Sequence, residues 1–497
     1  MWRVTNELTD EGTTLHAHGL LQMETPWYDG VPAVGQCPLT PNGGYYEMLF
    51  RADRYGSSWY HSEFISRAWR YQVLTSPGHY SAQYSGGAHG PIVIHGPKHE
   101  EYDIDVGPII LEDWFHADYF TLINGTMNGR FPPSNNNLIN GRMNYPCAET
   151  SLPCTPNAGI SKFKFESGKK HLLRLVNAGA EGNQKFSIDG HMLKVIALDF
   201  IPVEPYMTNV VTLAIGQRTD VIVEAIGNPG DAFWMRSQLA QGFRCTLTDG
   251  ISPNALAAVY YEDANTDAIP ESTSDVTQAQ LQQCKNDPIT LGIPLCKIPV
   301  EEPDHVERVD MLFQSNGSHF VWFMNNSPYR GDFNAPILLK AKLGETDFKP
   351  EWNVYEFPDA KHVRIVLVNH AMIGGHPMHL HGHDFHVLAE GHGEWDGVIT
   401  NAGNTIRRDT HLMPNARLVD NVTEPSYMVI QYVQDNPGVW PLHCHLAWHV
   451  SGGLFMQILE NADEIKKRDF GAEQFDLCDS WDAFSALNIL NQIDSGL

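Results

Sequence analysis

Histidine pairs with a single intervening residue recur along the chain, and they constrain its fold more than any other feature. The pairs are His16 and His18, His379 and His381, and His443 and His445. A neutral imidazole is a common metal ligand, and a pair of this spacing can offer one ligand to each of two neighbouring metal ions. One such pair is weak support for a metal site. Three pairs in two distant parts of the chain predict a metal cluster built from both parts.

Two segments of the chain form an internal repeat. GVWPLHCHLAWHVSGGL, which ends at Leu454, matches GSSWYHS followed by HYSAQYSGGA, which ends at Ala88, in the spacing of its histidines and glycines. The copies align once residues 63–78 are removed, and His61 and His79 then form a fourth, interrupted histidine pair. HAHG near the start and HLHG near the end repeat as well, so the first and last parts of the chain are predicted to be duplicated units.

The insertion of residues 63–78 has two interpretations. Ser62 and Glu63 can be encoded AGT-GAG, which contains a splice donor sequence, and Pro77 and Gly78 can be encoded CCA-GGT, which contains an acceptor. Sixteen residues preserve the reading frame, so we interpret the segment as a retained intron whose removal restores HSHYSAQYSGG. The alternative is a genuine surface loop that returns His79 to the cluster in register.

Length and composition predict several β domains. A chain of 497 residues suggests about three domains at roughly 100–200 residues each. Short strand-like runs such as PIVIHGP and HVRIVLVNH are bounded by turn residues, and long helical periodicity is nearly absent, which favours β-sandwiches or barrels. We place the boundaries after Pro97 and at Glu262, and expect residues 463–482 to be helical on the outside.

Charge and composition exclude several classes of partner. The net charge of −26 would repel nucleic acid and anionic membranes, and no apolar run approaches the roughly 18 residues of a membrane helix. The start MWRVTNELTDEG lacks the features of a signal peptide. Eight cysteines and four glycosylation sequons, at Asn124, Asn316, Asn325 and Asn421, favour a secretory route. We therefore expect a secreted, extracellular glycoprotein whose signal peptide and first strands are missing from this chain.

A second kind of metal site overlaps the last histidine pair. Cys444 lies between His443 and His445, with His449 five residues later and His376 available upstream in HPMHLHG. Two histidines and a thiolate are the ligand set of an electron-transfer copper, whose weak axial ligand is expected here at Leu454, a side chain that cannot coordinate. The two peptide bonds of Cys444 would give an electron a short covalent path to the cluster histidines.

These motifs resemble those of the multicopper oxidases, and most closely those of the ascomycete laccases. The resemblance runs from Met1 to Leu497 and rests on HAHG, WYHS, HPMHLHGHDF, RRDT and HCHLAWHVSGGL, while the terminal DSGL is similar to the C-terminal plug of that subgroup. It implies an all-β chain of three cupredoxin-like Greek-key domains, at residues 1–97, 98–262 and 263–497. It also implies four coppers: one type 1, one type 2 and a type 3 pair.

The resemblance implies a ligand set residue by residue. His376, Cys444 and His449 would bind the type 1 copper, with Leu454 at the axial position. The type 2 copper would take His16 and His379, and one type 3 copper would take His18, His61 and His445. Its partner would take His381, His443 and the histidine two residues after His61; Glu63 stands there, so His79 is expected instead.

The family's chemistry is the one-electron oxidation of phenols and aromatic amines, coupled to reduction of dioxygen to water. The resemblance implies a monomer that accepts electrons at an exposed ring edge of His449, with Trp448 beside it. A carboxylate that removes the phenol proton would assist the reaction. Glu181 matches the ascomycete position for this role and is favoured, whereas Asp199 matches the carboxylate of basidiomycete relatives.

Other functions are also compatible with the sequence, and one cysteine has no predicted disulfide partner. A metallo-oxidase of the ferroxidase kind is an alternative, as is a copper-binding but catalytically impaired product of a mis-spliced gene. Lignin degradation, pigment formation and detoxification are equally compatible with the motifs. The resemblance pairs Cys37 with Cys478 and Cys245 with Cys284, Cys147 and Cys154 can close a local loop, and Cys296 is left over.

Overall fold

The structure is a computed structural model that describes residues 1–63, 82–242, 245–325 and 327–487. In this part of the chain, strands far outnumber helices, as the sequence predicts. Most of the insertion, His79 and the terminal DSGL lie outside the described residues. None of the described helices is long and apolar enough to cross a membrane.

The strands fall into three consecutive stretches of the chain. The first stretch contains β1 (Trp2–Asn6), β2 (His16–Ala17), β3 (Gly44–Met48), β4 (Gly56–His61) and β5 (His89–Ile94). The second contains β6 (Ile104–Trp114), β7 (Asn136–Ile139), β8 (Ser161–Lys164), β9 (Lys170–Asn177), β10 (Gln184–Ile188), β11 (Leu193–Leu198), β12 (Ile201–Thr208), β13 (Val211–Leu213), β14 (Arg218–Glu224), β15 (Ala232–Leu239) and β16 (Asn254–Tyr260).

The third stretch carries the remaining strands. They are β17 (His305–Ser315), β18 (Phe320–Met324), β19 (Val354–Glu356), β20 (His362–Asn369), β21 (His376–Leu380), β22 (Phe385–His392), β23 (Arg407–Arg408), β24 (Thr410–Met413), β25 (Arg417–Val419), β26 (Val422–Glu424), β27 (Ser426–Val433), β28 (Gly438–Cys444) and β29 (Phe455–Glu460). The α-helices are α1 (Tyr119–Met127), α2 (Gln278–Leu281), α3 (Ile337–Leu343), α4 (Ala447–Ser451), α5 (Ala462–Lys467) and α6 (Ala472–Leu487).

The second and third stretches each fold into a β-sandwich. In the second, a sheet of order β12-β11-β14-β9-β6-β7 faces one of order β13-β10-β15-β16-β8, and in the third, β18-β17-β20-β27-β22-β23 faces β19-β29-β28-β21-β24. Alternating side chains of the facing sheets meet in one apolar core, which includes Val195 and Phe186 in the second stretch and Ile365 and Leu442 in the third. This alternation is what buries one face of each strand.

The first and last stretches contain equivalent three-stranded units. In the first, β2 pairs with β4 so that His16 lies opposite His61, and β5 continues the sheet. In the last, β21 pairs with β28 so that His379 lies opposite His443, and β29 continues the sheet. We call these units the first copy (β2, β4 and β5) and the last copy (β21, β28 and β29). Their common register matches the duplication predicted from the sequence.

Three disulfides fasten loops and the C-terminal helix. Cys37 bonds Cys478 and thereby ties α6 to the first stretch, Cys147 bonds Cys154, and Cys245 bonds Cys284. The structure confirms these pairings. The cysteines left free of disulfides are Cys296, which is exposed, and Cys444, which is buried. The predicted helical segment near the C-terminus forms α5 and α6.

Candidate metal centre

The two copies bring the histidine pairs together in one buried group, which we call the histidine cluster. Its described members are at most 2% exposed: His16, His18, His61, His379, His381, His443 and His445. The cluster lies where the ends of β2 and β4 meet those of β21 and β28. Ligand atoms of His16, His18 and His61 all lie within 4.8 Å of one another, and so do those of His16, His379 and His381. The predicted eighth member, His79, lies outside the described residues.

Three imidazoles from both copies converge on one point. His18 Nδ1 lies 3.4 Å from His61 Nε2 and 3.2 Å from His445 Nε2. These three are the set that the sequence predicts for one copper of the pair. The Asp409 carboxylate lies against His18 Nε2 and the Glu63 carboxylate against His61 Nδ1, which favours N–H at those atoms. The converging nitrogens of these two rings then carry lone pairs, which a shared cation would satisfy.

A second pair of imidazoles converges beside the first. His381 Nε2 lies 3.0 Å from His443 Nε2. Glu63 occupies the sequence position that the third ligand was predicted to have. Its carboxylate is 1% exposed and lies 3.0 Å from His61 Nδ1. A carboxylate therefore stands at the edge of the cluster on the side where the interrupted pair begins.

His16 and His379 form the third part of the cluster. The Nδ1 atom of His16 donates to the carbonyl oxygen of Asp29 at 2.6 Å, and that of His379 donates to the carbonyl oxygen of Asp409 at 2.7 Å. These bonds leave Nε2 of each ring as the acceptor atom. Both Nε2 atoms are buried and have no hydrogen-bond partner among the described residues. A bound metal ion would satisfy them, so the donor set fits the predicted type 2 copper.

Burial keeps most cluster imidazoles in the neutral form that binds metal. Desolvation, followed by repulsion from neighbouring imidazoles, lowers the pKa of His18, His61, His379, His381 and His445 well below the ordinary value. Burial also lowers the pKa of His443 to about 4. His16 differs: burial alone would lower its pKa, but the Asp29 carboxylate outweighs burial and raises it.

Two buried carboxylates orient the ligand rings, and the sequence analysis did not single them out. Asp29 Oδ2 accepts from His381 Nδ1 at 2.9 Å, and Asp409 Oδ1 lies 3.2 Å from His18 Nε2. Carboxylates in this position fix the tautomer and direction of a metal-binding imidazole. Asp409 belongs to the RRDT motif quoted above, which was the available sequence signal. Asp29 follows a tyrosine in WYDG and carried no spacing signal.

A separate group of buried side chains, which we call the thiolate group, consists of His376, Cys444 and His449. Cys444 Sγ lies 3.6 Å from His376 Nδ1 and 3.5 Å from His449 Nδ1, and the two nitrogen atoms are 3.2 Å apart. This triangle is the trigonal set of an electron-transfer copper. The structure thus brings together the three residues that the sequence predicts for type 1 copper.

The residue predicted for the axial position, Leu454, is an apolar side chain. Leu454 is fully buried and belongs to the same apolar core as Cys444. Its carbonyl oxygen accepts the N–H of Cys444 at 3.2 Å, which holds the cysteine backbone in place. A leucine offers no donor atom, so a copper here would be held by three strong ligands only.

Alternation along one extended segment connects the two metal groups. Successive side chains of a strand point to opposite faces, so His443 and His445 face the histidine cluster while Cys444 faces the thiolate group. Met378, on the neighbouring strand, lies opposite Cys444 in the register, and His379 lies opposite His443. A single peptide bond on each side therefore joins Cys444 to a residue whose imidazole belongs to the cluster.

The ring of His449 is not exposed, which corrects the prediction. His449 is 2% exposed and Trp448 is 1% exposed, because Trp322 packs on the thiolate group and Phe115 packs edge-on against Trp448. The ring centroid of Trp322 lies 4.7 Å from that of His376 and 4.8 Å from that of His449. Local sequence gives no measure of such a contact, since Trp322 is 127 positions from His449 along the chain.

An aromatic row leads from Trp322 toward the surface. The ring centroid of Phe313 lies 4.9 Å from that of Trp322 and 5.8 Å from that of Phe320. Phe320 is 45% exposed, whereas Trp322 is fully buried. The row joins β17 to β18 and ends at solvent. Ring contacts therefore link the buried thiolate group to one exposed aromatic side chain.

Glu181 lies beside the helix that carries His449. The carbonyl oxygen of the preceding residue, Ala180, accepts the N–H of Ala447 at 3.0 Å, and the Asp113 carboxylate accepts the N–H of Glu181 at 3.1 Å. Burial, followed by the charge of Asp113, raises the pKa of Glu181 to about 8. A pKa close to neutrality meets one requirement of a general base.

Asp199 does not lie at the thiolate group, so the alternative assignment as the phenol's proton acceptor is wrong. Both of its oxygen atoms accept from Arg408 at 2.9 Å, and it also pairs with Arg218 at 3.3 Å. Arg218 in turn donates to Asp409, beside the histidine cluster. Burial alone would raise the pKa of Asp199, but the two arginines outweigh it and lower that pKa. The residue is one member of a buried ion-pair network.

Comparison with known proteins identifies the class. Models of multicopper oxidase domains match residues 1–99, 105–264 and 311–464. The chain is 36% identical to oxidoreductase OpS5 of Beauveria bassiana, over 97% of this chain and 78% of the relative. It is 35% identical to laccase-2 of Botryotinia fuckeliana, over 99% and 81% respectively. The crystal structure of the laccase from Botrytis aclada is 33% identical, with a TM-score of 0.86 over 100% of this chain and 86% of that chain.

Three β domains, seven clustered histidines and a buried histidine–cysteine–histidine triangle define a copper oxidase, and the chain belongs to the multicopper oxidase family. It is a laccase-type oxidoreductase with copper as its cofactor, and four coppers are standard for the family. Its fold is that of the three-cupredoxin-domain laccases.

Proposed function

We propose that this chain oxidises phenols and aromatic amines one electron at a time at the thiolate group and delivers the electrons to dioxygen at the histidine cluster. Bound copper supplies the one-electron chemistry at the first site and the four-electron reduction of dioxygen to water at the second. The observation that carries the proposal is the position of Cys444. It belongs to the thiolate group, and its chain neighbours His443 and His445 belong to the cluster.

Each copper would be held by a different set of residues. His376, Cys444 and His449 would hold the type 1 copper, and Leu454 occupies the sequence position of the axial ligand. The type 2 copper would be held by His16 and His379, and the type 3 pair by His18, His61, His445, His381, His443 and His79. Asp29 and Asp409 fix ring directions through Nδ1 of His381 and Nε2 of His18.

The burial of His449 and the position of Glu181 support a proposal for how the substrate binds. Because His449 is buried, we propose that a substrate ring docks against the aromatic row that ends at the exposed Phe320 rather than on the histidine itself. Glu181 accepts the phenol proton as the electron leaves, which prevents build-up of a strongly acidic radical cation. Gly374 lies next to His449, since a Cβ there would make van der Waals contact with Leu446 at 3.9 Å and with the His449 ring at 4.0 Å.

We also propose limits for the three domains and an extracellular location. Domains at 1–97, 98–262 and 263–497 are supported by the sheets, because no sheet in the described ranges takes strands from two of these segments. Three disulfides support an extracellular setting, where they persist. We propose a secreted glycoprotein that acts as a monomer.

Phenol-dependent oxygen uptake tests the proposal directly. The copper-loaded protein is expected to consume one dioxygen for every four electrons donated by a methoxyphenol and to release no hydrogen peroxide. Its visible spectrum should contain the intense blue absorption of a thiolate-bound copper. Oxygen uptake with Fe(II) but not with phenols would favour the ferroxidase alternative. A blue protein that takes up no oxygen with either donor would favour the catalytically impaired alternative.

A further inference from the structure

The first copy contains a polar counterpart of the thiolate group. Ser62 directly follows His61, as Cys444 follows its own cluster histidine, and the backbone contacts are equivalent. The N–H of Ser62 donates to the carbonyl oxygen of Ala88 at 2.9 Å, and that of Cys444 donates to Leu454 at 3.2 Å. The serine hydroxyl therefore stands where the last copy has its thiolate.

The other two positions of the triangle also have counterparts. Thr13 precedes His16 by three residues, as His376 precedes His379. Gln83 begins a short helix, residues 83–86, after which a glycine turns the chain back into β5, and α4 with its following glycines makes the same turn in the last copy. Gln83 thus takes the place that His449 has beside the thiolate.

These three side chains, which we call the hydrogen-bonded triad, contact one another as the copper ligands do. The hydroxyl of Ser62 donates to Gln83 Oε1 at 2.6 Å, and the hydroxyl of Thr13 donates to the same oxygen at 2.8 Å. The two hydroxyl oxygens are 3.2 Å apart. Ser62 is 1% exposed and Gln83 is 3% exposed, so these bonds lie in the protein interior, where leaving one unmade is costly.

The amide nitrogen of Gln83 anchors the triad to the chain around it. Gln83 Nε2 donates to Glu11 Oε2 and to the carbonyl oxygen of Gly12, both at 3.0 Å. Glu11 also accepts from the hydroxyl of Tyr119 at 2.9 Å, in the second stretch of strands. The amide direction is therefore fixed, and Oε1 is the atom that faces the two hydroxyls. Hydroxyl and amide oxygens are poor ligands for an electron-transfer copper, so the triad is closed by hydrogen bonds instead.

We propose that the hydrogen-bonded triad positions His61 in the histidine cluster, doing in the first copy what the type 1 copper does in the last. Through His376, Cys444 and His449, a copper bound in the thiolate group would cross-link β21, β28 and α4 next to His443. The triad cross-links Thr13, three residues before β2, to Ser62, directly after β4, and to the short helix at Gln83. Ser62 is bonded to His61 through the backbone, so displacement of one moves the other. The inference rests on the proposed function only in taking His61 to be a copper ligand.

Loss of the triad should weaken copper binding at the paired site while leaving the thiolate site unchanged. In the full-length protein, Ser62→Ala, Thr13→Val and Gln83→Leu each remove a bond of the triad, and Thr13→Ser retains the hydroxyl and should restore the parent behaviour. Ser237→Ala is the matched control, because that buried hydroxyl also donates to a glutamine oxygen, Gln184 Oε1, at 2.7 Å, in the second stretch of strands.

Copper titration of the metal-free protein, followed at two absorption bands, separates the outcomes. We expect the three triad variants to lose about 10-fold in affinity for the coppers that give the near-ultraviolet band, with the blue band of the Cys444 copper unaltered and KM for dioxygen raised. Unchanged affinity in all three, or an equal loss at both bands, would overturn the positioning role. If the parent protein binds copper but does not oxidise phenols, the proposed function fails while the copper titration still decides this inference.

Discussion

The protonation of Glu181 predicts how phenol oxidation depends on pH. The pKa of this carboxyl group is raised from 4.5 to about 8, mainly by burial and then by the charge of Asp113. Only the ionised form accepts a proton, so general-base assistance is present above about pH 8 and is lost as the pH falls below it. Two pH units below the pKa, roughly 1% of the group is ionised, compared with half at the pKa.

Replacement of Glu181 by glutamine should therefore matter most at high pH. A positioned base contributes about 100- to 10,000-fold, so kcat/KM for a phenol should fall by at least about 100-fold in Glu181→Gln at pH 8. Between pH 8 and pH 6, the ratio of parent to variant should shrink by about 50-fold, the change in the ionised fraction. Taking the ratio cancels any pH dependence of the histidine cluster, which both proteins share.

The assay compares a phenol with an electron donor that carries no proton. Initial rates of oxygen uptake are measured between pH 5 and pH 9 with a methoxyphenol and with ferrocyanide, for the parent, Glu181→Gln and Glu181→Asp. Ferrocyanide oxidation should be the same in all three, and Glu181→Asp should keep part of the phenol activity. A parent-to-glutamine ratio that does not change with pH, or an equal loss with ferrocyanide, would refute the role of Glu181 as a base.

Three further predictions concern the copper thiolate, the buried ion pairs and the disulfides. Cys444→Ser should abolish the blue absorption and phenol oxidation but keep the near-ultraviolet band of the paired coppers, whereas the exposed Cys296→Ser should change neither spectrum nor rate. Arg218→Met leaves Asp199 and Asp409 buried without their shared partner and should lower the free energy of unfolding by about 3–5 kcal/mol. Arg308 is half-exposed, so the control Arg308→Met should lower it by about 1 kcal/mol or less. Thermal denaturation compares the two variants. Cys478→Ser removes a disulfide that spans 441 residues and should lower the free energy of unfolding by about 2–5 kcal/mol. Cys154→Ser removes one that spans only 7 residues and should lower it by less. Equal losses would contradict the explanation by chain entropy.

The sequence predicts well which histidines and which cysteine come together, because the chemistry of copper restricts both residue type and spacing. The histidine pairs and the Cys444 triangle assemble as expected, since the register of β21 against β28 puts ligands of one strand opposite ligands of the other. The all-β architecture follows from alternation and turn residues in the same way. Both signals lie in short stretches of the sequence, so they can be recognised without knowledge of the tertiary fold.

The sequence fails where a property depends on contacts between distant segments. Asp199 was treated as a candidate base, yet its function is decided by Arg218 and Arg408, which lie in other strands. His449 was expected at the surface, but Trp322 covers it. The orienting carboxylate Asp29 is 352 positions from its partner His381. No period or spacing in the chain encodes such distances, so partners of ligands are harder to predict than the ligands themselves.

Deletion of residues 63–78 tests the origin of the interrupted histidine pair. In the chain as it stands, Glu63 follows Ser62, and its carboxylate lies 3.0 Å from His61 Nδ1. The deletion places His79 directly after Ser62, so an imidazole takes the position of that carboxylate and completes the ligand set with His381 and His443. If the segment is a retained intron, the deleted form should bind four coppers per chain and reduce dioxygen, whereas the full chain should bind fewer coppers at the paired site.

A single substitution distinguishes the effect of the missing ligand from the effect of the inserted residues themselves. Glu63→His supplies an imidazole at the same place without shortening the chain, so it should recover part of the copper binding that the deletion restores. The loop interpretation predicts instead that the full chain already binds four coppers, because His79 would already serve as a ligand, so neither the deletion nor Glu63→His would add copper. Four coppers in the full chain, with no gain on deletion, would therefore refute the retained intron and favour residues 63–78 as a genuine part of the enzyme.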